Sequence, residues 1–236
     1  MVELNEALAE LIGAFIGDGC MSSYMNNGRI RNVTLFTGNW KNDVPYYQNR
    51  IIPIVTKYLN GTKNIYHRKS HNCMNYVLCS KEIFQFFCKL NLPVGVKGNK
   101  IKIPKEVEIS EKLTLACVRG IFNTDGSVYR RYSKQYAGHS KAYRNYAIVQ
   151  FKMKSLKVIK QIKKILEKQG IKINKITKVL NCHVIRITDQ NSIKLFFETC
   201  GFTHPYHKGR YLNIIKKPDR NKLLKGDMYT NVTKGL

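Results

Sequence analysis

Acidic residues are scarce in this chain. Against 41 Lys and Arg stand only 15 Asp and Glu, a formal net charge of +26 over 236 residues. A surplus of that size repels itself in a compact chain unless a polyanion is bound. Nucleic acid is the first partner expected and an anionic membrane surface the second. The membrane reading has little to stand on. No apolar run approaches the ~18–20 residues that a membrane-crossing helix needs. Met1 to Ala14 hold three Glu and no Lys or Arg, unlike a signal or transit peptide. No basic amphipathic helix with an aromatic face stands out, so no membrane partner is expected.

Metal and cofactor signatures are missing too. The seven cysteines at 20, 73, 79, 88, 117, 182 and 200 include no C-x-x-C pair, which argues against a zinc ribbon. They read as free thiols in a reducing compartment, packed as small hydrophobes. His67, His71, His139, His183, His204 and His207 form no H-E-x-x-H and are expected at the surface or on phosphates. No Gly-rich phosphate loop of the P-loop or dinucleotide type occurs.

What the chain does contain is a repeat. Residues 8–19 read LAELIGAFIGDG and residues 115–126 read LACVRGIFNTDG. An offset of 107 aligns Leu8 with Leu115, Gly13 with Gly120, Phe15 with Phe122, and Asp18-Gly19 with Asp125-Gly126. Each copy reads as a helix. Ala9, Gly13 and Gly17 in one, and Ala116, Gly120 and Thr124 in the other, recur every fourth residue as a stripe of small side chains. Interior glycine costs a helix roughly 1 kcal/mol relative to Ala, so two aligned glycines predict helices whose backbones touch. Each helix should end at its Asp-Gly pair, with Gly in its usual place past a helix end.

The remainder of each half reads as hairpin, helix, hairpin, helix. Strands are expected at 20–25, 29–37, 62–69 and 74–79, with helices at 40–59 (kinked at Pro53) and 81–90. In the second half strands are expected at 127–136, 144–153, 171–179 and 183–188, with helices at 155–169 and 191–200. The fold class is therefore α+β, with two pseudo-symmetric αββαββα units, each an antiparallel four-stranded sheet backed by helices. The divisions are 1–90 for the first half, 91–110 for a Pro- and Gly-containing connector, 111–200 for the second half and 201–236 for a basic tail.

If the two helices pack through their stripes, Asp18 and Asp125 meet at one end. Two carboxylates a few ångströms apart are costly without a cation between them, and free carbonyls at a helix C-terminus add negative charge. Such an oxygen set suits Mg²⁺ or Ca²⁺ rather than zinc. Alternation along the strands supplies the second feature. Val149, Phe151 and Met153 should face the helices, leaving Gln150, Lys152 and Lys154 outward, where Lys can read guanine or phosphate and Gln adenine. Arg130, Arg131 and Lys134 on the preceding strand join them, and Arg29, Arg31, Thr34, Arg68 and Lys69 are the first-half equivalents. Counted from Val33 against Val149, the first-half reading positions would be Thr34, Phe36 and Gly38. The halves then read different bases, and the target should be asymmetric.

LIGAFIGDG (11–19) and VRGIFNTDG (118–126) resemble the signature of the LAGLIDADG homing endonucleases, and the paired signatures resemble the single-chain, pseudo-dimeric members. Lys-Ile-Pro at 102–104 and a His-Pro after the last helix add to the likeness. The resemblance implies saddle-shaped sheets over the DNA major groove. It implies a monomeric, site-specific double-strand endonuclease that cuts across the minor groove and leaves short 3′ overhangs. Asp18 and Asp125 would be its catalytic metal ligands, helped by the carbonyls of Gly17 and Thr124. Mg²⁺ would be the cofactor, Mn²⁺ would substitute, and Ca²⁺ would bind without supporting cleavage. An intron RNA maturase on the same fold is the alternative, with intron RNA as partner, and a DNA-binding regulator with a retired site is a weaker rival. In one respect the sequence departs from the family. A Lys is often found near the end of each half's last strand, to position the attacking water, yet Leu78 to Ser80 and Ile187 to Asp189 carry none. Lys81, Lys152 or Arg186 could stand in. The chain starts with Met and shows no flanking splicing segments, so a complete intein is not expected. An intracellular setting is expected, in a prokaryotic cytoplasm or an organelle.

Overall fold

The protein's structure, a computed structural model, describes residues 3–131 and 146–215. Lys134, His139, the side chain of Arg131 and the tail beyond residue 215 lie outside the described residues.

Helix α1 (Glu6–Asp18) starts where the Asn5 side chain accepts from the Leu8 amide at 3.0 Å, satisfying one free helix-end donor. Strands β1 (Gly19–Asn26) and β2 (Arg29–Asn39) follow as a hairpin. Asn39 then caps α2 (Trp40–Tyr46), accepting from Lys41 and Asn42 amides. The long helical segment is not simply kinked at Pro53. It passes through a π turn over Tyr47–Ile51 and continues as α3 (Ile52–Leu59). Proline has no amide hydrogen and its ring clashes with the carbonyl four residues back, so the ladder shifts by one residue just ahead of it. Strands β3 (Ile65–Arg68) and β4 (Cys73–Leu78) and helix α4 (Lys81–Lys89) complete the half. The sheet order is β1-β2-β4-β3, antiparallel throughout.

The second half repeats this plan. Helix α5 (Glu111–Asp125) leads to β5 (Gly126–Arg131) and β6 (Tyr146–Met153). Helix α6 (Leu156–Lys168) is capped by Ser155. Strands β7 (Thr177–Val179) and β8 (Cys182–Ile187) precede α7 (Gln190–Thr199), capped by Asp189. The order β5-β6-β8-β7 mirrors the first sheet. This is the two-unit α+β plan expected from the repeat. The outer strands β3 and β7 are shorter than expected, and a further helix, α8 (Pro205–Ile215), forms within the basic tail.

The cores match as well. Phe15, Phe36 and Phe87 cluster in one half, and Phe122, Phe151 and Phe196 in the other. All six are fully buried, each adding roughly 1.5–3 kcal/mol through burial of apolar area. They bind the signature helix of each half to its own sheet. They also set the correspondence between halves. Gly19 pairs with Phe36, and Gly126 with Phe151, so Thr34 matches Val149, one residue away from the expected alignment. A one-residue slip exchanges faces. Thr34 is accordingly fully buried, its Oγ1 without a hydrogen-bond partner, and Phe36 is core. The outward positions of β2 are Leu35, Thr37 and Asn39, the equivalents of Gln150, Lys152 and Lys154.

Candidate metal centre and nucleic-acid interface

Helices α1 and α5 pack with their backbones in contact. A Cβ on Gly13 would lie 2.0 Å from the Cys117 carbonyl oxygen, and one on Gly120 would lie 2.1 Å from that of Glu10. No larger residue fits either position without separating the helices. Both helices end at the same end of this interface, each on its aspartate. A Cβ on Gly17 would stand 2.0 Å from Thr124 Oγ1 and 3.5 Å from Asp125 Oδ2, so the two C-terminal turns interlock. Gly19 and Gly126 follow with extended backbone rather than the left-handed conformation of a helix-ending glycine. Their small size is needed because a Cβ would enter the rings of Phe15 and Phe122.

The carboxylates are half-buried and uncomfortable. Burial, and then the negative charges of Asp125 and Asp43, push Asp18 well above the usual carboxylate range; Lys97 and the Tyr47 hydroxyl oppose this. Burial pushes Asp125 up to about 6, with Lys97 again opposing. Tyr47, in the π turn, donates to Asp18 Oδ2 at 3.3 Å. The Lys97 ammonium, reaching in from the connector, donates to the carbonyls of Phe15 (3.1 Å), Ile16 (2.9 Å) and Gly17. Burial lowers the Lys97 pKa, while Asp125 and Asp18 hold it up. Sequence reasoning missed both Lys97 and Tyr47. Lys97 sits in an aperiodic connector, and Tyr47 reaches Asp18 only through the π turn.

A divalent cation suits this donor set. Every donor is oxygen, and the Gly17 carbonyl already points at a cationic group. Among the described residues no three His, Cys, Asp or Glu come together, so further ligands would be water or substrate phosphate. Mg²⁺ is commonly bound in that way, through one or two carboxylates. Thr124 turns its hydroxyl back to Gly120 and Ile121 carbonyls at 3.1 Å, leaving only its backbone oxygen for the role expected of it.

Several expected nucleic-acid contacts lie on the outer sheet faces. Arg29, Arg31, Arg68, Lys69, Lys152 and Lys154 are exposed, with Lys69 in a short 3₁₀ turn rather than a strand. Gln150 and Arg186 are partnered across β6 and β8, the guanidinium donating to Gln150 Oε1 at 2.9 Å and to Thr177 Oγ1 at 3.3 Å. Thr34 must be withdrawn, since the register turns it inward. Arg130 also points away from the outer face. Its guanidinium donates to the Ile214 carbonyl of α8 at 2.7 Å, because it shares the helix-facing side of β5 with Val128. Tyr24, Met25, Ile30 and Tyr66 are exposed on the first half's strands, and Trp40 stacks on His67 with centroids 4.0 Å apart. Two histidines are not surface residues. His204 and His207 are buried where the segment after α7 folds against α2. His204 Nε2 lies 3.2 Å from Asp43 Oδ1, and burial presses His207 down to about 4.

Comparison with known proteins agrees with this geometry. Residues 112–201 match the family model of a LAGLIDADG-like domain. The solved structure of I-DmoI in complex with DNA and Mn superposes with a TM-score of 0.58 at 16% identity, covering 83% of this chain and 96% of that one. The LAGLIDADG meganuclease I-AabMI bound to uncleaved DNA gives 0.61 at 13% identity, covering 98% and 97%. The chain has the single-chain, two-motif LAGLIDADG fold. A curated relative, the replication factor C small subunit of Methanocaldococcus jannaschii, is 28% identical over 222 residues, 93% of this chain but 11% of that protein. The chain thus spans about a tenth of that relative's length. The matched segment contains Asp125, whereas Asp18 lies outside it. No helix among the described residues is long and apolar enough to cross a membrane.

Proposed function

We propose that this chain is a site-specific double-strand DNA endonuclease that hydrolyses phosphodiesters with divalent metal at a long, asymmetric target. One observation carries the reading: two half-buried aspartates close helices whose backbones touch, at the junction of two sheets with basic outer faces. Asp18, Asp125 and the Gly17 and Thr124 carbonyls would hold Mg²⁺, with Mn²⁺ substituting and Ca²⁺ binding without cleavage. When bound, the metal polarises the scissile phosphate and lowers the pKa of a water. The chain's own residues do the rest. Tyr47 keeps Asp18 oriented. Exposed Lys and Arg on the sheets neutralise phosphates, which supplies most of the affinity, and outward side chains such as Lys152 meet base edges in the major groove. Both carboxylates come from one chain, so a monomer suffices. Retention of both favours cleavage over the maturase and retired-site alternatives, which need only binding.

The test is cleavage of a long random-sequence DNA library with Mg²⁺, followed by sequencing of the cut ends. Asp18→Asn and Asp125→Asn should each lose double-strand cleavage while holding DNA affinity within about tenfold, roughly 1.4 kcal/mol. Full cleavage by either variant would overturn the reading.

A further inference from the structure

The outer face of the second sheet carries one continuous hydrogen-bonded row. Tyr129 on β5 donates to Gln150 Oε1 on β6 at 3.2 Å. Arg186 on β8 donates through Nε to the same oxygen at 2.9 Å, and through Nη1 to Thr177 Oγ1 on β7 at 3.3 Å. Each of the four strands contributes one side chain, in the order in which the strands pair. The fold itself does not require this row. Counted from the matching Gly19–Phe36 and Gly126–Phe151 pairs, the first sheet has Ser22, Leu35, Val77 and Tyr66 in the same places, and it keeps the same register.

The row also limits what each member can read. Arginine only donates, so the Gln150 atom facing Arg186 is the oxygen. That oxygen accepts twice, from Tyr129 and from Arg186, which engages both of its lone pairs. Glutamine reads adenine by accepting and donating at once, and Gln150 has no acceptor left for it. Arg186 spends two of its five N–H donors inside the row. The rest sit on Nη1 and Nη2, a pair of nitrogens that suits guanine O6 and N7 together.

We propose that Arg186 is a guanine reader and that Gln150 is the positioning residue that holds it, so that the second half-site demands one guanine at the base pair facing this row. This rests on the reading that the outer sheet faces lie in the major groove of DNA. Gln150 pairs with Ser127, just beyond Asp125 in the chain, which puts that base pair in the inner part of the half-site. A guanidinium held in place beforehand loses less freedom on binding. Leu35 and Val77 have no side-chain donor for guanine, so the corresponding position of the first half-site carries no such demand.

The experiment is selection of bound duplexes from a random-sequence DNA library without divalent metal, on wild type, Arg186→Val and Gln150→Leu, with thermal melting in parallel. Wild type should prefer guanine by about tenfold or more at one inner position. Arg186→Val should lose that preference and keep those at other positions. Gln150→Leu should weaken the same preference several-fold and remove no adenine preference elsewhere. The first sheet folds with Leu and Val in these two places. Should either variant still fail to fold, wild type on duplexes carrying 7-deazaguanine at that position, which lacks the N7 acceptor, should bind about tenfold more weakly; equal binding overturns the proposal. No inner guanine in the wild-type selection, uniform weakening at every position in Arg186→Val, or loss of an adenine preference in Gln150→Leu with guanine unchanged overturns this inference and leaves the endonuclease reading intact. Wild type that retains duplexes without regard to sequence overturns the site-specific reading, and this inference with it.

Discussion

At the scale of single residues, the two signature aspartates share a motif but not an environment. Lys97 opposes the burial that raises both, but only Asp18 also receives a hydrogen bond from Tyr47 and feels Asp43, while burial pushes Asp125 up to about 6. A raised carboxylate pKa means that the folded chain binds protons more readily than the unfolded chain does. Asp125 therefore withdraws stability from the metal-free protein as pH rises from its ordinary 3.8 through about 6. Metal reverses the preference, because it selects the ionised form and releases the proton. Metal affinity should rise with pH through about 6 as Asp125 ionises, and go on rising for as long as Asp18, which burial also raises, still holds its proton. Calorimetric titration with Ca²⁺ across that range, in buffers of differing ionisation enthalpy, checks both the trend and the proton release. Affinity independent of pH would mean that the carboxylates are ionised throughout.

At the scale of elements, the α1–α5 contact is the joint of the molecule. Ala at Gly13 or Gly120 already places Cβ about 2 Å from a backbone oxygen, so Gly13→Leu and Gly120→Leu should destabilise by at least the roughly 1–3 kcal/mol typical of overpacking. Urea denaturation measures this, and wild-type midpoints in both would show that the helices part without cost. A second device reinforces the joint. Glu10, fully buried in α1, accepts from Arg50 of the π turn at 2.8 Å, Arg119 of α5 at 3.1 Å and Tyr46 at 3.3 Å. Thr203 also donates to it, and bonds Asn123 besides. Glu10→Gln keeps the shape but leaves Arg119, 15% exposed, without its charge partner, while Arg50, 35% exposed, can turn to water; the loss should approach but not exceed the roughly 3–5 kcal/mol of a broken buried pair. A loss below about 1 kcal/mol in the same denaturation assay would mean that water reaches the cluster. Glu10 stands among apolar residues in α1 and is fully buried. Its partners come from three segments distant in sequence, and no spacing announces them.

At the scale of the whole molecule, the surplus of positive charge predicts the salt dependence of binding. With on the order of ten phosphate contacts, log affinity against log salt should fall with a slope near about −9, and fluorescence anisotropy on duplex DNA measures it. A slope shallower than about −3 would point to a small footprint and another use for the charge. The expectation of an asymmetric target does not depend on the strand register. Leu35, Thr37 and Asn39 now stand where the second half has Gln150, Lys152 and Lys154, and an apolar, hydroxyl and amide set cannot read the edges that an amide and two ammonium groups read. Cleavage of two artificial palindromes, each duplicating one half-site, should fall well below cleavage of the native asymmetric site. Equal cleavage of all three would show that the halves read DNA alike.

Much of this was present in the chain's own pattern. Two copies of a glycine-bearing helix ending in Asp-Gly specify paired helices and paired carboxylates, because helical spacing is local and the same small stripe occurs twice. Alternation also indicated the inward face of β6 correctly, since Val149, Phe151 and Met153 are all core. What the pattern left open depended on groups brought together by tertiary contact. The register of β2 follows from Phe36 packing on Phe15 and Phe87, not from matching one valine to another. The inward turn of Arg130 follows from α8 settling beside β5. Buried His204 and the Thr203 contact to Glu10 follow from the segment after α7 closing on α2. Lys97 becomes a cation in the site only because the connector folds back across the end of α1. Local sequence determines periodicity and caps, where neighbours along the chain do the work. Which buried charge meets which is a long-range matter, decided only when the halves have packed.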